Sequence, residues 1–305
     1  MPNAFSHALA PRAPWRKWNV WSAVVLLREG PFHWVKTHCY LPAKRRRGSP
    51  LATMGGFTGE PQSAWMGGLR GDAFPLHYEE AHRPELEPEG LTLHHGGWSW
   101  AGPDVVISGL LSGRETRLTG TRMGAPMPWL SLSTLLVYWS WSVQWRLTWG
   151  QEVWTGVGLI EHAHGGYLPL PALVPLGRWQ WDLLWGNGDD HELRAGLSGH
   201  WMGMGVPLGA FLDVDGAVAK VSGAHITLHS TRDDLPFEWS GVMGSQRYQA
   251  RRVGKPVRPF PGTAFFGFRY VSAQGEGIGF TQCGGNPVTV ARRSEAGYPA
   301  WSPQG

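Results

Sequence analysis

The 305 residues carry 16% charged side chains, 43 glycines, 24 prolines and 19 tryptophans, against roughly 25% charge in ordinary soluble domains. That balance argues against a helical architecture and for an all-β one. The net charge of +4 is mild, no recognisable nucleic-acid module accompanies it, and nucleic acid is set aside as a partner. Cys39 and Cys283 can form at most one bridge, which excludes a disulfide scaffold.

At the start of the chain, "MPNAFSHALAPRAPWRKWNVWSAVVLLREG" has no compact apolar run followed by a small-residue cleavage site, against a secretory signal. No run of about 18 apolar residues suggests a membrane-spanning helix. Reduced thiols and a cytoplasmic location are the expectation. Lys44, Arg45, Arg46 and Arg47 form one basic cluster, and Arg251, Arg252, Lys255 and Arg258 a second. Two solvated loops are the plain reading. The sharper one is contact with a phosphate-bearing substrate or, for the first cluster, peripheral contact with an anionic membrane surface. Residues 43–75 are glycine-rich and read as an irregular surface excursion.

Short strands follow, bounded by Gly, Pro, Asn and Asp: "GLTLHH", "GWSWAGPDVVISGLL" and "ETRLTGTRM". In "LLVYWSWSVQWRLTWG", Trp139, Trp141, Val143, Trp145, Leu147 and Trp149 occupy every second position, with polar residues between them. Such alternation marks a strand with one apolar face. The tryptophans either pack a core or wall a ligand cavity, with Trp141 and Trp145 the central candidates. Further strands are "WTGVGLIEHAH", "RWQWDLLWG", "HELRAGLS", "AHITLHS", "PFEWSGVM", "QRYQARRV", "TAFFGFRYVS" and "GIGFTQCG". "LLWGNGDDHELRA" reads as a hairpin. "GVGLIEH" and "GIGFTQC" echo one another, which suggests two β-domains of similar build, each closing with an equivalent strand. The proline-rich "GYLPLPALVPLG" places the boundary near residue 170, giving domains 1–170 and 171–305.

The densest chemical candidate is Gly158 to Leu184. On a strand, Glu161 and Ala163 share one face while His162 and His164 share the other. Trp179 and Trp181 follow on another strand, and Asp182 points away from them. A carboxyl beside aromatic surface could act as a general acid, or Glu161 and the histidines could be satisfied strand-end residues.

Glu161, His164-Gly165, Leu168-Pro169-Leu170, Trp179 and Trp181 resemble a block of the carotenoid 1,2-hydratase (hydroxyneurosporene synthase) family. In that block the order is Asp-x-Asn-His-Gly, Pro-Leu, Trp-x-Trp-x-Arg. The family belongs to a wider lipocalin-like set with AttH-like proteins and noncanonical terpene cyclases. Here Glu161 stands for its Asp, Ala163 for its Asn and Leu183 for its Arg. The resemblance implies two lipocalin-like antiparallel β-barrel or β-sandwich domains and an apolar isoprenoid-like ligand. It also implies protonation of an alkene by Glu161, with His164 orienting the acid or a water. Trp141, Trp145, Trp179 and Trp181 would line the cavity, and no cofactor is required. Burial against apolar rings would favour the protonated acid, and indole faces would stabilise a cation.

Two alternatives stand beside it. A noncatalytic lipocalin-like carrier needs the same cavity without a buried acid. A cupin-like metal site could use His162 and His164, with Gly156 opening the motif, although the Glu expected shortly afterwards is missing.

Overall fold

The computed structural model describes residues 18–30, 32–42, 52–57, 65–66, 84–87, 90–93, 97–101, 104–111, 114–131, 137–165, 179–186, 192–201, 204–221, 223–260 and 263–284. Among these there is no helix, so none that could cross a membrane. Lys44, Arg45, Arg46 and Arg47 lie outside the described residues.

The chain forms two compact units. The first is built on β1 (Trp18–Leu26), β2 (Trp34–Pro42), β3 (Ala52–Phe57), β4 (Trp65–Met66), β5 (Pro84–Glu87), β6 (Gly90–Leu93), β7 (Gly97–Ala101), β8 (Asp104–Leu111), β9 (Arg114–Ser131), β10 (Val137–Trp149) and β11 (Glu152–Gly165). The second is built on β12 (Trp179–Gly186), β13 (Glu192–Trp201), β14 (Met204–Val214), β15 (Ala217–Val221), β16 (Ala224–Arg232), β17 (Leu235–Met243), β18 (Gln246–Phe260), β19 (Thr263–Ser272) and β20 (Gly275–Gly284). The stretch read as irregular, residues 43–75, in fact contributes β3 and β4. Its glycines hid any alternation.

Each unit holds one nine-stranded sheet, ordered β4-β3-β2-β1-β11-β10-β9-β8-β7 in the first and β15-β14-β13-β12-β20-β19-β18-β17-β16 in the second. In both, a four-strand meander and a five-strand meander are joined by pairing the unit's first strand with its last. Within the meanders, short connections suit antiparallel neighbours such as β1 and β2 or β10 and β11, and the joining pairs β1/β11 and β12/β20 are antiparallel as well. β5 and β6 form a separate two-stranded ribbon. The second sheet rolls until β16 comes alongside β14.

The echoing motifs occupy equivalent places, "GVGLIEH" in β11 and "GIGFTQC" in β20. Their Gly-x-Gly pairs have a steric cause. A Cβ on Gly158 would lie 1.9 Å from the Val24 carbonyl oxygen, and one on Gly279 would lie 2.6 Å from that of Leu183. The backbones of the paired strands therefore approach too closely for a side chain. Gly158→Ala is expected to cost about 1–3 kcal/mol by overpacking, read as a lower denaturation midpoint. A midpoint equal to wild type would show that the sheet relaxes freely there.

Both faces of the central strands of the first unit are buried. On one, Ala23, Val25, Val35, Trp141, Val143, Trp145, Leu147 and Ile160 join Val105, Ile107 and Leu118 in a single core. On the other lie Ser22, Val24, Leu26, Trp34, Lys36, Ser140, Ser142, Leu159 and Glu161, all buried. The core of the second unit is aromatic, with Trp239, Tyr248, Phe266, Phe268 and Tyr270 packed together.

The basic residues Arg251, Arg252, Lys255 and Arg258 sit in β18, which corrects the reading of a solvated loop. Arg252 is buried, donating to the Arg232 carbonyl at 3.1 Å and to Asp233 at 3.2 Å. Asp233 and Asp234 carry positive φ angles of 56° and 59°, the backbone of a type I′ hairpin turn. Arg252 thus ties that turn to β18, while its guanidinium lies 5.6 Å from the ring centroids of Phe237 and Phe266.

Candidate functional site: a buried carboxyl cluster

Glu161 sits in β11 directly opposite Ser22 of β1 and Ser140 of β10. Opposed residues on antiparallel strands project to the same face. Tyr138 lies two residues before Ser140, and Lys36 is opposite Val24, two residues after Ser22. The period of two therefore brings Ser22, Lys36, Tyr138 and Glu161 onto one face from four adjacent strands.

Glu161 is 5% exposed and Lys36 is 0% exposed. Ser22 Oγ donates to Oε2 at 2.6 Å. Lys36 Nζ donates to the same oxygen and forms an ion pair with it. Tyr138 donates its phenol proton to Oε1. Behind these, Trp129 stacks on Tyr138 and donates to Ser140 Oγ at 2.8 Å. Burial pulls the Lys36 ammonium below its ordinary value, and the Glu161 carboxylate works against that fall. Burial and the neighbouring carboxylate together push the Tyr138 phenol well up, which keeps it a neutral donor.

The expected surroundings of Glu161 need correction. Trp141 and Trp145 project from β10 to the face opposite Glu161, where each is 2% exposed within the apolar core. The alternating tryptophans there are core. The carboxyl meets a hydroxyl, an ammonium and a phenol in place of bare indole. Trp179 and Trp181 belong to β12 of the second unit. Trp181 packs edge-on against Phe280 at 6.1 Å, and Trp179 lies over Gly284.

His162 points to the same side as Trp141, is buried, and stands opposite Trp139. The backbone of His164 pairs with Asn19 and Val137, but its side chain lies outside the described residues. No three His, Cys, Asp or Glu side chains gather among the described residues.

A second buried carboxyl was recognised from sequence only as pointing away from Trp181. Asp182 does so, into the aromatic interior of the second unit. Its Oδ1 accepts from Thr281 Oγ1 at 2.7 Å and Gln180 Nε2 at 3.0 Å, and its Oδ2 from Trp239 Nε1 and Tyr248 OH, both at 2.8 Å. Burial raises the Asp182 carboxyl above its ordinary value, while the four donors, Gln180 first, hold it down. Four fixed donors on two oxygens tie β12 to β17, β18 and β20, a structural network.

Sequence reasoning missed Ser22, Lys36, Tyr138 and the Asp182 network. One signal for Lys36 was legible: a lysine within the apolar alternation of "WVKTHCY".

No family model matches the sequence, and no curated protein sequence matches it. Solved structures do share its fold. An AttH-like protein of Nitrosomonas europaea superposes with a TM-score of 0.60 at 12% identity, over 88% of this chain and 92% of that one. Kievitone hydratase of Nectria haematococca superposes with a TM-score of 0.50 at 8% identity, over 88% of this chain and 89% of that one. The chain is an all-β protein of this lipocalin-like fold.

Proposed function

We propose that the protein is a hydratase-like enzyme that protonates an isolated double bond of an apolar, isoprenoid-like small molecule, with Glu161 as the general acid. The observation that carries this reading is the Glu161 carboxyl, buried yet met by three donors from three other strands. The shared fold with a protein named a hydratase supports it, although fold alone does not assign chemistry. A carrier needs no acid, and Glu161 differs from the structural Asp182 carboxyl in pairing with a buried ammonium.

An alkene is a very weak base, so the step starts from the form of Glu161 that carries a proton, and the ion pair with Lys36 is the arrangement of the carboxylate left after transfer. Ser22, Lys36 and Tyr138 are placed to receive the negative charge that develops on the carboxyl as the proton leaves, a preorganised electrostatic contribution. The alkene π pair forms a C–H bond while the Glu161 O–H bond breaks, leaving a carboxylate and a tertiary carbocation. Water adds to the cation, and its surplus proton returns to the carboxylate. The net change is addition of one water.

The test is incubation of the full chain with geraniol, farnesol, squalene and lycopene in D2O. Products that gain one water and one carbon-bound deuterium are expected with wild type and lost with Glu161→Gln. Equal turnover by Glu161→Gln would remove Glu161 from the role, and no turnover of any of the four by wild type would count against the substrate class.

A further inference from the structure

The two oxygens of Glu161 are not equivalent. Oε2 is held by Lys36 and Ser22, whereas Oε1 meets Tyr138 alone among the described residues. An ammonium can only donate, so the oxygen it holds is the poorer place for a proton. A phenol can donate or accept, and by turning its O–H it can accommodate a proton on Oε1. We propose that Lys36 is a positioning residue for Glu161, anchoring Oε2 between β1 and β10, so that the transferable proton resides on Oε1 and the charge left after transfer is balanced by the ammonium. This rests on the hydratase reading for its function, but the pairing itself does not.

Three observations carry it. Lys36 is fully buried in the middle of β2, where a lysine is seldom found without a partner. Its partner comes from β11, far away in sequence, and the same carboxyl also takes donors from β1 and β10. Among the described residues, Glu161 of β11 is the carboxylate shown acting on the Lys36 ammonium, and Tyr138 of β10 meets the same carboxyl.

The first experiment needs no substrate. Nitrogen-15 NMR of the lysine ammonium groups, with the Lys36 signal assigned by its loss in Lys36→Arg, is followed against pH in wild type and Glu161→Gln. Removing the carboxylate is expected to move the Lys36 titration to lower pH, because the carboxylate opposes the fall that burial causes. An unchanged titration would overturn the pairing. The second experiment measures hydration by Lys36→Met. A folded variant, judged by an unaltered circular dichroism spectrum, is expected to lose about 100-fold in kcat and to show a shifted pH profile, with partial recovery in Lys36→Arg. A folded Lys36→Met with wild-type kcat and pH profile would overturn the positioning role. If Lys36→Met fails to fold, the titration in Glu161→Gln still decides the pairing. A wild type inert toward every substrate, with the titration shifted as expected, would count against the hydratase reading alone.

Discussion

Lys36→Ala is expected to destabilise the first unit by about 3–5 kcal/mol, because it leaves the Glu161 carboxylate buried without its counter-charge. Lys36 and Glu161 are 0% and 5% exposed, so water cannot readily replace the lost ammonium. Ser22 and Tyr138 would still donate to the carboxyl, yet neither carries charge. Placing two ions in a buried site is costly in itself, and removing both often costs less than removing one. The double variant Lys36→Met with Glu161→Gln is therefore expected to recover a large part of the loss. Urea denaturation of the single and double variants measures the coupling between them. Additive losses would show that the two side chains do not act as a pair.

Asp182→Ala is expected to cost the second unit a similar amount, on the order of 3–5 kcal/mol, by a different mechanism. The carboxyl is the shared acceptor of Gln180, Thr281, Trp239 and Tyr248. Alanine would strand these donors in an aromatic core, and a buried donor without an acceptor costs about 1–3 kcal/mol. Asp182→Asn should fall between wild type and alanine, since it keeps one acceptor but turns two new donors toward the existing ones. The pH dependence has a definite sign. Burial raises the folded carboxyl above its ordinary value of 3.8. Between the unfolded and folded values the native state therefore holds a proton that the unfolded chain has released. The stability from this group is complete below the unfolded value and is lost as pH rises through the folded one. Denaturation midpoints measured from the acidic carboxylate range to neutrality should fall less steeply in Asp182→Asn than in wild type. Equal slopes would mean that Asp182 titrates alike in the folded and unfolded chain.

Much of the architecture was legible because strand periodicity is local. The alternation of Trp139 through Trp149 marked β10 and identified its two faces, and the glycine motifs of β11 and β20 announced equivalent strands before the pairing was seen. β1 to β5, β14 and β15 escaped notice. β1 is buried on both faces, so its apolar run does not alternate. The proline and glycines of β14 resemble turn punctuation.

The sequence by itself determined an all-β chain rich in turns, a duplicated strand motif, and the opposite projection of Glu161 and His162, since each depends only on composition or on the two-residue period. Tertiary structure alone decided what Glu161 meets. Its partners come from β1, β2 and β10, and which residue lies opposite which is set by register, a property of strand pairing and not of any one strand. A slip of one residue in β10 would have faced Trp139 and Trp141 toward the carboxyl. The observed register faces Tyr138 and Ser140 there, and the buried carboxyl meets proton donors where indole rings were expected.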